Sequence, residues 1–354
     1  MKILKREPQL WRLRIESEDD LWALARIARK GMQIGMLGER RDQTTGGDEG
    51  GRAKAAERKK MWSRLHSETT EYQTFSENLR IHATIEEAQF DIGMHHTHVV
   101  EIRDEVELTS SQLFSSSDKD LLKQAERASG QTNVVIAVAE TDEVVIFHVT
   151  ARGLREGATW TMRGGGKRGE LRQSAGIATT FRSKVIGALV DTLGPETPLV
   201  LCGPGHARDA LHGDLKAAGE TRMMKSVATS MAGRAGANEV LRDGLAGNLL
   251  SEHAISREIE LIETAWERLS TNGAVAYGTE ALNKAMNEGA IETLLISADL
   301  LRDETECIGT QTWMQWVNGL SDIGAELVQC STDHDAGQQL VGLGGAIAML
   351  RYAM

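Results

Sequence analysis

The chain has 354 residues, 41% hydrophobic and 26% charged, with a net charge of −11. That length exceeds what one hydrophobic core organises and points to two or three domains, and no apolar run approaches the ~18 residues of a membrane span. The acidic balance excludes nucleic-acid binding through the global field, so any RNA contact has to come from local basic segments.

The three cysteines, Cys202, Cys307 and Cys330, lack CxxC spacing and argue for a reducing compartment without a disulfide framework or cysteine zinc site. The opening MKILKREPQLWRLRIESEDD turns acidic before any apolar stretch, which predicts no secretory signal and a cytoplasmic location.

In chain order, LWRLRI predicts a strand and DDLWALARIAR a short helix. The segment from Glu39 to Lys60, with seven basic residues against five acids and many glycines, reads as a long solvated loop. MWSRLHSETTEYQ, LRIHATIEE and HTHVVEIRDEVELT alternate with a period of two, as strands exposed on one face do. The first block is therefore a small β-rich domain. NVVIAVAETDEVVIFHVT gives two β-branched runs about a polar turn, followed by a helix near Thr180–Leu193 and the buried strand PLVLC, an α/β pattern. A charged amphipathic helix near Ser256–Leu269 opens a third block. Helix Thr279–Asn287, strand IETLLIS, a helix near Gln311–Leu320, strand AELVQC and strand AIAMLRY then make a second α/β sandwich. Polar, Gly- and Ser-bearing stretches near Asp118–Gly130 and Gly244–Glu252 read as hinges.

Charge is concentrated. From Ala151 to Gly187 there are eight Lys or Arg and two acids, a local +6, so the remainder carries −17. Within it MRGGGKRGELRQ joins three glycines to Arg163, Lys167 and Arg168, the composition of a mobile phosphate-contacting loop; the alternative is a solvated loop without a ligand. It is not a P-loop, because Lys167 is followed by Arg168. GPGHARDAL offers backbone N–H groups to an anion or is simple strand-to-helix punctuation. GLGGA lacks dinucleotide-binding spacing. His95, His96 and His98 are candidate metal ligands, but alternation puts His95 on the opposite face from the other two. The acidic run Glu16, Glu18, Asp19 and Asp20 either holds a divalent cation or caps a helix N-terminus.

Several segments, in order and wording, resemble the Pelota family of archaeal and eukaryotic ribosome-rescue factors, paralogous to the class-1 release factor. They are EDDLWALARIARKG, GMHHTHVVEI, LVLCGPGH, AGRAGANEVLRDG, VAYGTEALNKAMNEGAIETLLISADLLR and LVGLGGAIAMLRY, spanning nearly the whole chain. The resemblance implies an α/β and β multidomain protein: an Sm-like β-barrel RNA-binding domain over 1–125, a central release-factor-like α/β domain over 131–250, and a C-terminal ribosomal-protein-like α/β sandwich over 253–354. It further implies entry into the vacant A site of stalled ribosomes during no-go and non-stop mRNA surveillance. The partners it implies are ribosomal and messenger RNA, an elongation-factor-type GTPase and an ABC-type recycling ATPase, with the chain acting as a monomer. Arg40, Arg41, Arg52, Lys54 and Lys59 would sit on the first-domain loop near messenger RNA, and Arg163, Lys167 and Arg168 on the central basic loop.

The release factor's Gly-Gly-Gln is replaced here by Gly164, Gly165, Gly166 and Lys167, and no Asn-Ile-Lys-Ser occurs. His206 also stands where the family usually has an aromatic residue. Subunit splitting without peptidyl-tRNA hydrolysis follows, by an adaptor that needs no cofactor to bind ribosomes. The competing reading is a divalent-metal-dependent endoribonuclease in the first domain, using Glu18, Asp19 and Asp20.

Overall fold

Period-two patterning builds the first half of the molecule. The computed structural model describes residues 1–41, 58–73, 76–128, 133–162, 171–250 and 253–354, and the chain divides into two compact units, Met1–Gln131 and Thr132–Met354. The first holds β1 (Lys2–Arg6), β2 (Leu10–Arg14), α1 (Glu18–Ile27), β3 (Gln33–Arg41), β4 (Arg58–Gln73), β5 (Asn78–Glu87), β6 (His95–Val100), β7 (Glu105–Thr109) and α2 (Ser116–Ala128). Its strands form one antiparallel seven-stranded sheet in the order β1-β2-β7-β3-β4-β5-β6. The order is open, with β1 and β6 at the edges and no pairing among the described residues that closes a barrel. Register shifts between β4 and β5, at Arg64/Leu65 and Ser67/Thr69, let the long strand bend. The bend carries β6 over β3 and β4, where His98 Nε2 meets the Ser63 carbonyl at 3.2 Å and Arg40 Nη1 donates to the His95 carbonyl at 3.3 Å. Trp11 stacks on Phe114 with centroids 3.6 Å apart, in a core with Leu13, Leu24, Ile34 and Ile81.

Two sequence expectations change here. The ends of the expected loop Glu39–Lys60 belong to β3 and β4, so only its middle lies outside the described residues. The first expected hinge is largely the helix α2. Its polar start SSSD is an N-terminal cap: Ser115 N–H donates to Asp118 Oδ2 at 3.0 Å, and Asp118 N–H donates back to Ser115 Oγ at 3.1 Å. Leu121, Leu122 and Ala125 bury its apolar side, and Arg29 pairs with the buried Asp118.

The second unit holds β8 (Val135–Ala139), β9 (Glu143–Thr150), β10 (Gly153–Thr161), α3 (Leu171–Thr192), β11 (Leu199–Gly203), α4 (Ala207–Ala217), β12 (Met224–Ala228), α5 (Gly233–Arg242) and α6 (Ala254–Ser270). It continues with β13 (Val275–Tyr277), α7 (Thr279–Asn287), β14 (Ile291–Ser297), α8 (Ala298–Arg302), β15 (Cys307–Ile308), β16 (Gln311–Thr312), α9 (Trp313–Trp316), β17 (Glu326–Cys330), α10 (Asp335–Gly342) and β18 (Ala346–Leu350). One sheet runs β10-β9-β8-β11-β12 and another β13-β18-β14-β17. β8, β11 and β18 are buried throughout, as their unbroken apolar runs require. Alternation sorts β8 between two cores: Val135, Ala137 and Ala139 pack with Val185, Leu189 and Leu211 of α3 and α4. Ile136 and Val138 join Val240 of α5, Ile259 and Ile262 of α6, and Leu295, Ile347 and Met349 of the second sheet. That core is continuous between the two sheets. The opposite face of the second sheet, with Leu294, Ile296 and Ala348, packs on Leu282, Trp313 and Trp316.

Among the described residues no helix is long and apolar enough to cross a membrane. All three cysteines are free, and burial pushes the Cys202 thiol up to about 12, which leaves it protonated and inert. Gly187, inside α3, faces open space. Gly187→Ala is expected to stabilise the second unit by about 0.5–1 kcal/mol, read as a higher thermal midpoint, because alanine loses less backbone entropy in a helix.

Candidate nucleic-acid interface

The β3–β4 hairpin concentrates positive charge by register. Glu39 faces Lys60, Arg40 faces Lys59 and Arg41 faces Arg58. Like charges at directly opposite positions of an antiparallel pair destabilise it. By backbone register alone, this end of the sheet gathers Arg40, Arg41, Arg58, Lys59 and Lys60; the side chains of Arg41, Arg58 and Lys59 lie outside the described residues. The Arg40 guanidinium is held by Asp91 at 2.7 Å, which ties the hairpin to the β5–β6 turn. Arg52 and Lys54 lie outside the described residues.

The second basic stretch is partly structural. Arg152 pairs with Asp333, and Arg182 Nε donates to Asp214 Oδ2 at 2.5 Å. Both guanidiniums are committed to carboxylates within the unit. Arg163, Lys167 and Arg168 lie outside the described residues, between exposed β10 and α3.

The acids at the start of α1 do separate jobs. Asp20 is 1% exposed; its Oδ1 accepts from the Met1 ammonium at 2.6 Å, and its Oδ2 accepts from the N–H groups of Glu16 and Ser17 at 2.8 and 3.1 Å. Ser17 Oγ accepts from Asp20 N–H, completing a capping box. Glu18 accepts from the Tyr72 hydroxyl at 3.0 Å, and Asp19 sits in the same first turn. Among the described residues no group of three or more His, Cys, Asp or Glu is arranged around a metal position.

The GPGH turn serves the strand-to-helix change. His206 is the α4 N-cap without a side-chain bond, and Arg208 folds back to donate to the Gly203 carbonyl at 3.0 Å and to that of Gly205.

A cleft of about 1090 Å³ opens in the first unit beside β3 and β6. Leu37 and Trp62 are exposed in it, and the Arg64 guanidinium lies 5.1 Å from the Trp62 ring centre. Sequence patterning missed this cleft, since only the curl of the sheet brings β3 and β6 together. His98 is buried at its wall. Burial first and the neighbouring His96 second push it down to about 4, against the opposing bond to Ser63. The unfolded chain, at 6.5, binds the proton that the folded chain rejects. Stability from this residue is thus complete above pH 6.5 and falls as pH drops toward 4, by up to about 3 kcal/mol. Denaturant midpoints measured across that window are expected to decline less in His98→Phe.

Comparison with known proteins places the whole chain. A family model of the Pelota N-terminal domain matches residues 1–126, and one of eRF1 domain 3 matches residues 255–354. The pelota homolog of Methanococcus maripaludis is 28% identical over 361 residues, covering 99% of each chain. The crystal structure of Thermoplasma acidophilum Pelota covers 100% of both chains with a TM-score of 0.77 at 20% identity, so the folds agree. Saccharomyces cerevisiae Dom34, described as a termination-like factor of RNA quality control that interacts with Hbs1, has a TM-score of 0.52 at 17% identity. The pelota homolog of Natronomonas pharaonis is 33% identical over 347 residues, 96% of this chain and 94% of its own, and on that likeness the chain belongs to the Pelota family.

Proposed function

We propose that this chain recognises ribosomes stalled with an empty A site and promotes their dissociation into subunits during no-go and non-stop mRNA surveillance. It acts with a translational GTPase and a recycling ABC ATPase and leaves peptidyl-tRNA unhydrolysed. The observation that carries the reading is family likeness along the full chain combined with Gly166-Lys167 where a release factor needs glutamine. The segment therefore lacks the glutamine side chain of the release-factor tripeptide, whereas Arg163, Lys167 and Arg168 suit phosphate contact. The basic residues that backbone register gathers at the end of the β3–β4 pair support a second region of phosphate contact.

Each neutralised phosphate adds close to one unit to the slope of log affinity against log salt. Binding to ribosomes stalled on a truncated message is expected to weaken steeply with salt. In the combined Arg163→Ala, Lys167→Ala and Arg168→Ala variant the slope is expected to be shallower by about 2–3 units. An unchanged slope and affinity would remove this loop from the interface.

A further inference from the structure

The histidines of β6 are not used by the ribosome reading. His96 and His98 share one side of the strand with their rings 5.3 Å apart, edge to face, and Gly38 of β3 lies against them. His98 is 1% exposed, and its Nε2 donates to the Ser63 carbonyl at 3.2 Å. That bond fixes the tautomer and leaves Nδ1 with its lone pair, buried and without a hydrogen-bond partner. A Cβ placed on Gly38 would stand 3.5 Å from this Nδ1 and 3.9 Å from Nε2 of His96. Two imidazole nitrogens thus lie within 4 Å of a position that a glycine keeps clear, at the wall of the cleft.

We propose that His98 Nδ1 and His96 Nε2 together hold one borderline divalent transition-metal ion, of the Zn²⁺ or Cu²⁺ class, with its remaining positions open to the cleft. A ligating histidine characteristically gives its other ring N–H to a backbone carbonyl, as His98 does to Ser63. Imidazole suits zinc and copper, whereas magnesium and calcium prefer oxygen ligands. The Arg40 charge, which would oppose a cation, is matched by Asp91 at 2.7 Å, and Glu39 and Glu101 line the same cleft.

The test is calorimetric titration of the full chain with Zn²⁺ at neutral pH, alongside imidazole ¹⁵N spectra and thermal melts. Wild type is expected to bind one equivalent, move the His98 Nδ1 resonance and melt higher with zinc; His96→Ala, at a half-exposed position, is expected to fold and lose all three responses. A tenfold excess of Mg²⁺ is expected not to displace the ion. Binding that persists in His96→Ala would place the ion elsewhere, and a His98 resonance unmoved by excess Zn²⁺ would overturn the site even if His98→Asn fails to fold.

Discussion

Asp20→Ala is expected to lower the stability of the first unit by about 3–5 kcal/mol, read as a fall in its denaturant midpoint. The carboxylate is 1% exposed and is the ion-pair partner of an equally buried ammonium at Met1, 2.6 Å away. Truncation strands that charge and also releases the N–H groups of Glu16 and Ser17 at the start of α1. Removing one member of a buried pair costs far more than removing an exposed one, because desolvation is no longer offset. A midpoint within about 1 kcal/mol of wild type would contradict this placement. The result also bears on nuclease assays. Loss of cleavage in an Asp20 variant would report unfolding as readily as chemistry, so a nuclease test has to rest on Glu18 or Asp19 with folding verified.

Gly337→Ala is expected to be as damaging, on the order of 4 kcal/mol or more. A methyl group there would run into the Ser331 carbonyl oxygen, closer than any packed contact, and the obstacle is backbone rather than a mobile side chain. The helix α10 has to move away, and its N-terminal anchor moves with it. His334 Nδ1 accepts from Gly337 N–H at 3.1 Å, its Nε2 donates to Glu258 at 2.7 Å, and Glu258 accepts from Ser331 N–H at 2.6 Å. All of these groups are buried, so each broken bond leaves an unsatisfied polar atom. Gly342→Ala, at the other end of α10 in open space, is the control, expected to be neutral or stabilising by up to about 1 kcal/mol. Thermal melts of the two variants separate close packing from helix propensity; equal midpoints would show that Gly337 is not wedged.

The sequence was most legible where one physical rule acted alone. IETLLIS and the helix Thr279–Asn287 matched residue for residue, since the run and the period needed no knowledge of distant partners. α2 was missed because SSSDKD has the composition of a linker, while its capping function depends on Asp118 being buried against Arg29. β10 was hidden inside the basic stretch, whose excess charge masked an exposed edge strand. Asp20 could be read as a cap from its place before an apolar run, but its partner at Met1 follows only from the fold. The pairing of His96 with His98 was visible from alternation; the glycine opposite them was not, because the curl of the sheet sets that register.

The most direct test of the adaptor account follows ribosomes stalled on a truncated message, with the GTPase and recycling ATPase present. Wild type is expected to yield free subunits, with peptidyl-tRNA intact and the message uncut, and the Arg163, Lys167 and Arg168 alanine variant is expected to leave the ribosomes joined. Free peptide, a cleaved message, or equal splitting with and without the chain would contradict it.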